Sequence, residues 1–388
     1  MSRGRALAGS IALLAGLCLS STPSAQAESG SLGLRARVGP PPSPHAMPGV
    51  DGQRSHRAQT TLSAAPRVER RLRIAFGVGR GLVMREDGGA FVLHPRARAS
   101  RIDAQGKSLY TLKLSEDPAS APVVTSGGAN AFVAGGELWQ VDDHGGVRSR
   151  TALDDADFSA RSILSLRDGG VLVASNGWLV KVSAQGHVVF RTAAPETPLE
   201  LLETTASVHY VSLLGSVYRV DASGRLGKLG ELGASTQAVT AAHGSEQLLA
   251  RTGNHRVATF DLRAHRLLAS VEDATLDLDG PVLLAADGTA QVFTSDGLLV
   301  RYRPDGSESE RIPVDPGARK PPGADDALLL ADGRLLLARA SADTAIVSTS
   351  GEVSTIAGSA CPDPLGLYAA GPRAVLLACR SGNTFRIE

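Results

Sequence analysis

Short apolar segments alternate with polar turns along most of the chain, and one phrase recurs. It is an apolar stretch that ends in Asp or a small polar residue, followed by a turn that contains Gly. Eight copies align, and the residues at the Asp position, here called the anchors, are Asp103, Asp142, Ser183, Asp221, Asp261, Arg303, Ser348 and Glu388. The anchors are spaced by 39, 41, 38, 40, 42, 45 and 40 residues, which indicates an internal repeat.

Within the repeats, glycine-containing pairs mark further turns. Four Asp-Gly pairs precede their anchors by 15 or 16 residues, at Asp87-Gly88, Asp168-Gly169, Asp287-Gly288 and Asp332-Gly333. A second turn follows at Asn176-Gly177, Gly253-Asn254 and Asp296-Gly297. Asx-Gly pairs tolerate the positive φ that a tight hairpin requires, so each repeat is predicted to hold four short antiparallel strands. By the same register, the Leu-rich segment around Asp332-Gly333 is predicted as strand, turn and strand rather than helix.

Four-stranded units of about forty residues bury both faces when they stack radially, which predicts an all-β, eight-bladed β-propeller. Seven blades is the alternative, if one weak repeat is a false count. The last copy has room for only three strands before Glu388, and an extra strand-like segment, RVERRLRIAF, begins at Arg67. We therefore expect this N-terminal segment to close the disc as the fourth strand of the last blade, because pairing the two chain ends removes an open sheet edge.

The segment before the repeats has the pattern of an export signal. Arg3 and Arg5 precede the apolar stretch 6–19, and Ala25-Gln26-Ala27 is a small-x-small cleavage site. The alternative is an uncleaved anchor, but the stretch is shorter than the roughly twenty residues that span a bilayer. The predicted organisation is a signal peptide at 1–27, a flexible Pro/Gly/Ser-rich linker at 28–66 and a propeller at 67–388, in a periplasmic or secreted protein.

Composition adds two expectations. The chain has 40 Lys plus Arg and 39 Asp plus Glu among 388 residues, and 43% of its residues are hydrophobic, as in a globular protein. Such balanced charge argues against nucleic acid as a partner. Cleavage leaves two cysteines in a compartment where disulfides persist, so Cys361 and Cys379 are predicted to pair, with two buried free thiols as the alternative.

The anchor phrases also carry a family resemblance. VYRVDASGR and SRIDAQGK resemble the pyrroloquinoline-quinone-type repeats of bacterial propellers, and GNHRVATFD and GEVSTIAG are similar to NHL repeats. The resemblance covers residues 67–388 and implies a propeller, whose exported non-enzymatic members act as binding platforms. In the quinone-dependent members a Trp follows each anchor turn, whereas Trp139 and Trp178 precede theirs. This departure argues against a bound quinone.

No residue pattern points to catalysis or to a metal. The sequence has no Gly-x-Ser-x-Gly elbow, and its nine histidines form neither His-x-His nor His-x-x-x-His, so no catalytic residue and no metal ligand is assigned. The loops that join the fourth strand of one blade to the first strand of the next are acidic, with 16 Asp or Glu against four Lys or Arg. The candidate binding residues in these loops are Asp155, Asp157, Asp277, Asp279, Asp325 and Asp326.

Two alternatives apply to these acids. Asp is a common turn residue and collects in loops without any function, and EDATLDLDG could hold calcium instead of a basic partner. The sequence therefore predicts an exported, monomeric and non-catalytic propeller that binds an envelope or extracellular protein, or another cationic ligand, through this acidic face. The alternative function is an enzyme, a lactonase, lyase or quinoprotein, with its site in the central channel.

Overall fold

The computed structural model describes residues 58–153, 162–204, 206–233, 235–241, 246–285, 287–315, 326–340 and 342–388. The predicted signal peptide, the linker up to residue 57, and the candidate residues Asp155, Asp157 and Asp325 lie outside these ranges. The described chain is all-β, and no helix in it is long and apolar enough to cross a membrane.

The described strands form eight antiparallel four-stranded sheets, the blades of a β-propeller, as the repeat predicted. Blade 1 contains β2 (Gly81–Met84), β3 (Ala90–His94), β4 (Arg98–Ile102) and β5 (Ser108–Lys113). Blade 2 contains β6 (Val123–Val124), β7 (Asn130–Ala134), β8 (Glu137–Val141) and β9 (Val147–Ala152). Blade 3 contains β10 (Ser162–Ser165), β11 (Val171–Ala174), β12 (Trp178–Val182) and β13 (Val188–Ala193). Blade 4 contains β14 (Pro198–Glu203), β15 (Val208–Ser212), β16 (Ser216–Val220) and β17 (Leu226–Glu231).

The remaining four blades follow the same order. Blade 5 contains β18 (Thr236–Ala241), β19 (Gln247–Thr252), β20 (Arg256–Asp261) and β21 (Arg266–Glu272). Blade 6 contains β22 (Leu278–Leu284), β23 (Ala290–Thr294), β24 (Leu298–Tyr302) and β25 (Glu308–Pro313). Blade 7 contains β26 (Ala327–Leu329), β27 (Leu335–Leu337), β28 (Ala345–Val347) and β29 (Val353–Thr355). Blade 8 contains β30 (Pro364–Gly371), β31 (Ala374–Cys379), β32 (Asn383–Ile387) and β1 (Val68–Arg73).

The first strands of neighbouring blades contact one another and surround the central channel. Because the strands alternate in direction, the disc has two distinct faces. The loops between blades and the turns between second and third strands lie on one side, here called the loop face. The hairpins between first and second strands and the anchor turns lie on the other side, here called the turn face.

The Asp-Gly hairpins occur where the sequence predicted them, but the glycine alone has the positive φ, as at Gly88 with +80°. In blade 1 the Gly88 N–H donates to the carbonyl of Arg85 over 3.0 Å, and the Arg85 N–H donates to the carbonyl of Gly89 over 2.9 Å. This is a three-residue hairpin loop that ends in a glycine bulge, so the Asp position stays in ordinary backbone geometry.

Closure by the N-terminal strand is confirmed. Strand β1 pairs antiparallel with β32, from Val68 opposite Ile387 to Arg73 opposite Asn383. A disulfide within blade 8 and a backbone bridge from blade 8 to blade 7 add to this closure. Cys361 and Cys379 form the predicted disulfide, with their Cα atoms 6.0 Å apart, and Cys361 also makes a parallel bridge to Ala340 at the end of blade 7.

One part of the predicted linker is packed against the disc rather than free. Ala58, Thr60 and Leu62 are at most 3% exposed, and Ala58 and Leu62 belong to the core between blades 7 and 8. This segment, 58–63, is here called the strap. Its first residue forms a hydrogen bond with the backbone of blade 7: the Ala58 N–H donates to the Leu329 carbonyl over 2.8 Å. The start of the packed region is therefore no later than residue 58, and not residue 67 as the sequence analysis placed it.

The strap crosses the turn face between two hairpins. The Thr61 N–H donates to the carbonyl of Pro372 in blade 8 over 2.9 Å. Arg334, in the Asp-Gly hairpin of blade 7, donates to the carbonyls of Leu62 at 2.5 Å and Ser63 at 2.9 Å. The strap thus joins blades 7 and 8 on the turn face, while the disulfide lies at the loop-face end of blade 8.

Candidate functional site

Three of the six candidate acidic residues, Asp277, Asp279 and Asp326, fall in the described part of the chain, and all three lie at the loop face. Asp277 is exposed in the loop that leads into blade 6. Its Oδ2 accepts a hydrogen bond from the Ser295 hydroxyl at 2.9 Å, and its carbonyl accepts from the Ser295 N–H at 2.8 Å. The loop is therefore tied to the next turn of the same blade, while the carboxylate still faces solvent.

Asp279 has a cationic partner. Its Oδ1 lies 3.2 Å from Nη2 of Arg251, whose side chain is only 6% exposed. Nη1 of Arg251 donates to the carbonyl of Leu278 at 2.8 Å and also to the side-chain oxygen of Gln237. Burial lowers the pKa of Arg251, and the carboxylates of Asp279 and Asp277 act in the opposite direction. Asp279 thus compensates a buried guanidinium and is not a free ligand group.

The same loop contains a third acid with a structural role. Asp273 accepts hydrogen bonds from the N–H of Thr275 at 2.9 Å and its hydroxyl at 2.5 Å, and pairs with Arg311 at 3.0 Å. These bonds hold the pKa of Asp273 below its usual value. Among the residues that the structure describes, no three His, Cys, Asp or Glu side chains come together as a metal site. Calcium in this loop stays a prediction.

Other loop-face acids brace the turns beside them. Asp117 accepts the N–H of Ala97 at 2.5 Å. Glu196 accepts the hydroxyls of Ser212 at 2.5 Å, Ser216 at 2.8 Å and Tyr218 at 3.1 Å. Burial alone would raise the pKa of Glu196, but these hydrogen bonds outweigh burial and lower it. Part of the acidic count from the sequence is therefore turn chemistry, as the alternative interpretation proposed.

The wall of the channel contains a depression of about 210 Å³ near the loop face. It is lined by the first strands of blades 4, 5 and 6, including Glu200 and Gln237, and by Arg251. Glu200 is half-buried, and its Oε1 accepts the hydroxyl of Ser162 from blade 3 at 2.6 Å. The depression thus places a carboxylate and a guanidinium at the mouth of the channel, an arrangement suited to a polar or charged group of a ligand.

Arg251 and Glu200 were not predicted as site residues, although the repeat carries a signal for Arg251. Arg251 is the penultimate residue of the second strand in its blade. The same position in other blades holds the fully buried apolar residues Leu93, Val133, Val173, Val211 and Phe293. Arg251 could have been identified from the sequence, because it is a charged residue at a repeat position that is otherwise buried and apolar.

Comparisons with known proteins bear on the fold. No protein-family model matches the chain, and no curated protein sequence matches it. Among solved structures it is similar to BamB from Moraxella catarrhalis, at 15% identity and a TM-score of 0.64, over 83% of this chain and 99% of that one. It is also similar to the computationally designed protein Ika8, at 10% identity and a TM-score of 0.64, over 81% and 98% of the two chains.

A third similar structure is virginiamycin B lyase from Staphylococcus aureus, at 11% identity and a TM-score of 0.51, over 82% of this chain and 98% of that one. The three structures thus comprise BamB, a designed protein and a lyase, which shows that this architecture is compatible with different roles. At these identities the likeness shows the β-propeller fold, and function has to be argued from the site.

Proposed function

We propose that this protein is an exported, non-catalytic binding platform whose partner, an envelope protein or another ligand with a basic patch, docks on the loop face. The observation that carries the proposal is the exposed carboxylate of Asp277 on the loop face, together with Glu200, which lies half-buried on the first strand of blade 4 at the depression in the channel wall. Acids gathered around one opening on a rigid disc attract a cationic partner and speed its approach.

The anchor phrases support the same proposal, because they resemble pyrroloquinoline-quinone-type repeats, whose exported non-enzymatic members act as binding platforms. Export is also compatible with the disulfide between Cys361 and Cys379, since disulfides persist in oxidising compartments. The partner is to be recovered by passing an envelope extract over the immobilised chain 28–388 and identifying the retained proteins.

A matched pair of substitutions tests the loop face. Asp277→Asn removes an exposed carboxylate from the loop face of blade 6, and Asp287→Asn removes one from the turn face of the same blade. We expect Asp277→Asn to slow association with the retained partner by roughly two- to tenfold at low salt, and Asp287→Asn to leave it unchanged. Asp279 is not substituted, because its loss would leave Arg251 buried without a carboxylate.

Surface plasmon resonance at two salt concentrations measures both effects. The difference between the two variants should shrink as salt rises, since exposed charges are screened over about 8 Å at physiological ionic strength. Equal association rates for the two variants at low salt would contradict docking on the loop face. Turnover of a lactone or peptide substrate by the mature chain, dependent on added divalent metal, would instead favour the alternative of an enzyme with its site in the channel.

A further inference from the structure

A second concave site lies on the opposite side of the disc, between blades 3 and 4. This inter-blade cleft has a volume of about 500 Å³, within the range of small-molecule sites. Its walls include the apolar residues Leu172 and Phe190 of blade 3 and Val208 and Val220 of blade 4. Five charged side chains also line it: Arg167, Lys181, Glu203, Arg219 and Asp221. It opens at the turn face, so it shares no residue with the depression at the channel mouth.

A contact that joins neighbouring blades elsewhere in the disc is not made by the equivalent residue at the cleft. Two residues before their anchors, Gln140 and Arg301 reach across to the next blade, where Gln140 donates to the Ser183 carbonyl at 3.0 Å and Arg301 to the Ser348 carbonyl at 2.8 Å. Lys181 holds the same position in blade 3. Its ammonium instead pairs with Asp168 of its own blade at 2.5 Å. The ammonium of Lys181 is therefore held on its own blade, at the edge of the cleft.

One side of the cleft is held rigidly. Gly224, in the anchor turn of blade 4 with a φ of +84°, lies against the ring of Phe190, and a Cβ at this glycine would come within 2.5 Å of the ring. Phe190 is only 9% exposed and belongs to the core shared by blades 3 and 4. An apolar group that enters the cleft therefore meets a preformed wall.

Glu203 is the unusual residue of the cleft. It is the last residue of the first strand in blade 4, whereas the first strands of the other blades up to blade 7 end on uncharged residues: Met84, Val124, Ser165, Ala241, Leu284 and Leu329. The fold therefore does not require a carboxylate at this position. Glu203 is half-buried, and it forms no ion pair with any residue that the structure describes.

Among the described residues, the carboxylate of Glu203 accepts hydrogen bonds from one backbone N–H only. Both carboxylate oxygens accept the Arg167 N–H at 3.2 Å, which is long for a charged acceptor. Burial raises the pKa of Glu203, with Asp168 acting in the same direction and Arg167 and Lys181 in the opposite one. Lys181 is already paired with Asp168. Glu203 is thus a half-buried carboxylate of the cleft that accepts one backbone N–H and no side-chain hydrogen bond from the described residues.

We propose that the inter-blade cleft binds an ammonium group carried on an apolar stem, with the ammonium on Glu203 and the stem against Leu172, Phe190 and Val208. A free alkylamine and a lysine side chain of a peptide share this chemistry. Each buried methylene contributes to binding through the hydrophobic effect, and the charge-assisted hydrogen bond to Glu203 sets the orientation. This site is independent of the function proposed above, because it lies on the other face.

Isothermal titration with octylamine and with octanoate tests the proposal on the chain 28–388. The two probes have the same alkyl length and opposite charge. We expect octylamine to bind at least tenfold more tightly than octanoate. Glu203→Gln should weaken octylamine roughly tenfold or more, as expected for loss of a charge-assisted hydrogen bond. The control Glu272→Gln changes an exposed carboxylate at the end of β21 and should have no effect.

The position of binding is checked by NMR, where the methyl signals of Leu172, Val208 and Val220 should shift on addition of octylamine. A capped Leu-Lys-Leu peptide, compared with Leu-Gln-Leu, separates the two sources of the ligand. Binding of the lysine peptide without octylamine binding supports a peptide ligand, and the reverse supports a free amine. Binding of neither probe, equal binding of octanoate, or full affinity in a folded Glu203→Gln variant would overturn the proposal.

Discussion

His209 shows how strongly the interior of a blade can act on one side chain. It is 1% exposed in the second strand of blade 4, and its Nε2 lies 2.8 Å from the hydroxyl of Ser207. Its Nδ1 is buried without a hydrogen-bond partner among the described residues. Burial lowers the pKa of His209 to about 4, with Glu246 acting in the opposite direction. The imidazole is therefore neutral in the folded protein at neutral pH.

This pKa predicts a pH-dependent stability. The folded value lies below the ordinary histidine value of about 6.5, so the unfolded chain takes up a proton first as the pH falls. The free energy of unfolding should therefore decrease between about pH 6.5 and pH 4, by roughly 2 kcal/mol from this residue. Urea unfolding at about pH 7 and pH 4.5 measures the loss. The same loss in His209→Gln would show that other groups cause it.

At the scale of residues, the register of the repeat contains information on both the turns and the unusual charged positions. It placed the anchors and the Asp-Gly hairpins correctly, because those positions need specific turn residues. It also contained the two charged residues that break the pattern, Arg251 and Glu203. Their surroundings could not be read from the sequence, since the partner of Arg251 and the cleft around Glu203 depend on how neighbouring blades pack.

At the scale of elements, the strap is the feature most open to test. Leu62 is 3% exposed between blades 7 and 8. We expect Leu62→Ala to lower the free energy of unfolding by about 2–4 kcal/mol, through lost burial and the cavity that remains. Leu214, on the loop face, is 66% exposed. Leu214→Ala should therefore change the free energy of unfolding by less than about 0.5 kcal/mol. Equal stability of the two variants in urea would contradict a packed strap.

The elements differ in how far the sequence predicts them. The Leu-rich segment of blade 7 forms β26 and β27, as its register predicted, although its composition suits a helix. The strap was assigned to the linker because its only apolar residues are spaced among polar ones without a strand period. Its burial is decided by the groove between two blades that lie far from it in sequence, and a local pattern cannot report such a groove.

At the scale of the whole molecule, the disulfide reinforces the blade that closes the disc. In the chain 28–388, which lacks Cys18, thiol titration of denatured and unreduced protein should find no free thiol. Cys361 and Cys379 are separated by 18 residues, so the chain-entropy model predicts a contribution of about 3 kcal/mol. Replacing both by Ser should lower the free energy of unfolding by about that amount relative to the oxidised protein. Two titratable thiols would contradict the bridge.

The spacing of the anchors predicted eight blades, because each forty-residue unit can bury both faces only against a copy of itself. The fourth strand missing from the last copy, together with the strand-like segment at Arg67, predicted their closure. Function did not follow from the same pattern. The acids of the loop face are divided between bracing of turns, as at Asp117 and Glu196, and exposure, as at Asp277. Only the packed structure separates these roles.

The pairing of β1 with β32 also has a consequence for how the chain reaches its native state. Leu72 and its partner Thr384 are 312 residues apart in the chain. Strand β1 and the strap are therefore synthesised long before the strands that receive them, and they stay without their native partners until blade 8 has formed. Pairings this distant slow folding. We therefore infer that blades assemble first from local hairpins and that ring closure is the late, slow step, during which the β1 segment is exposed to chaperones or proteases.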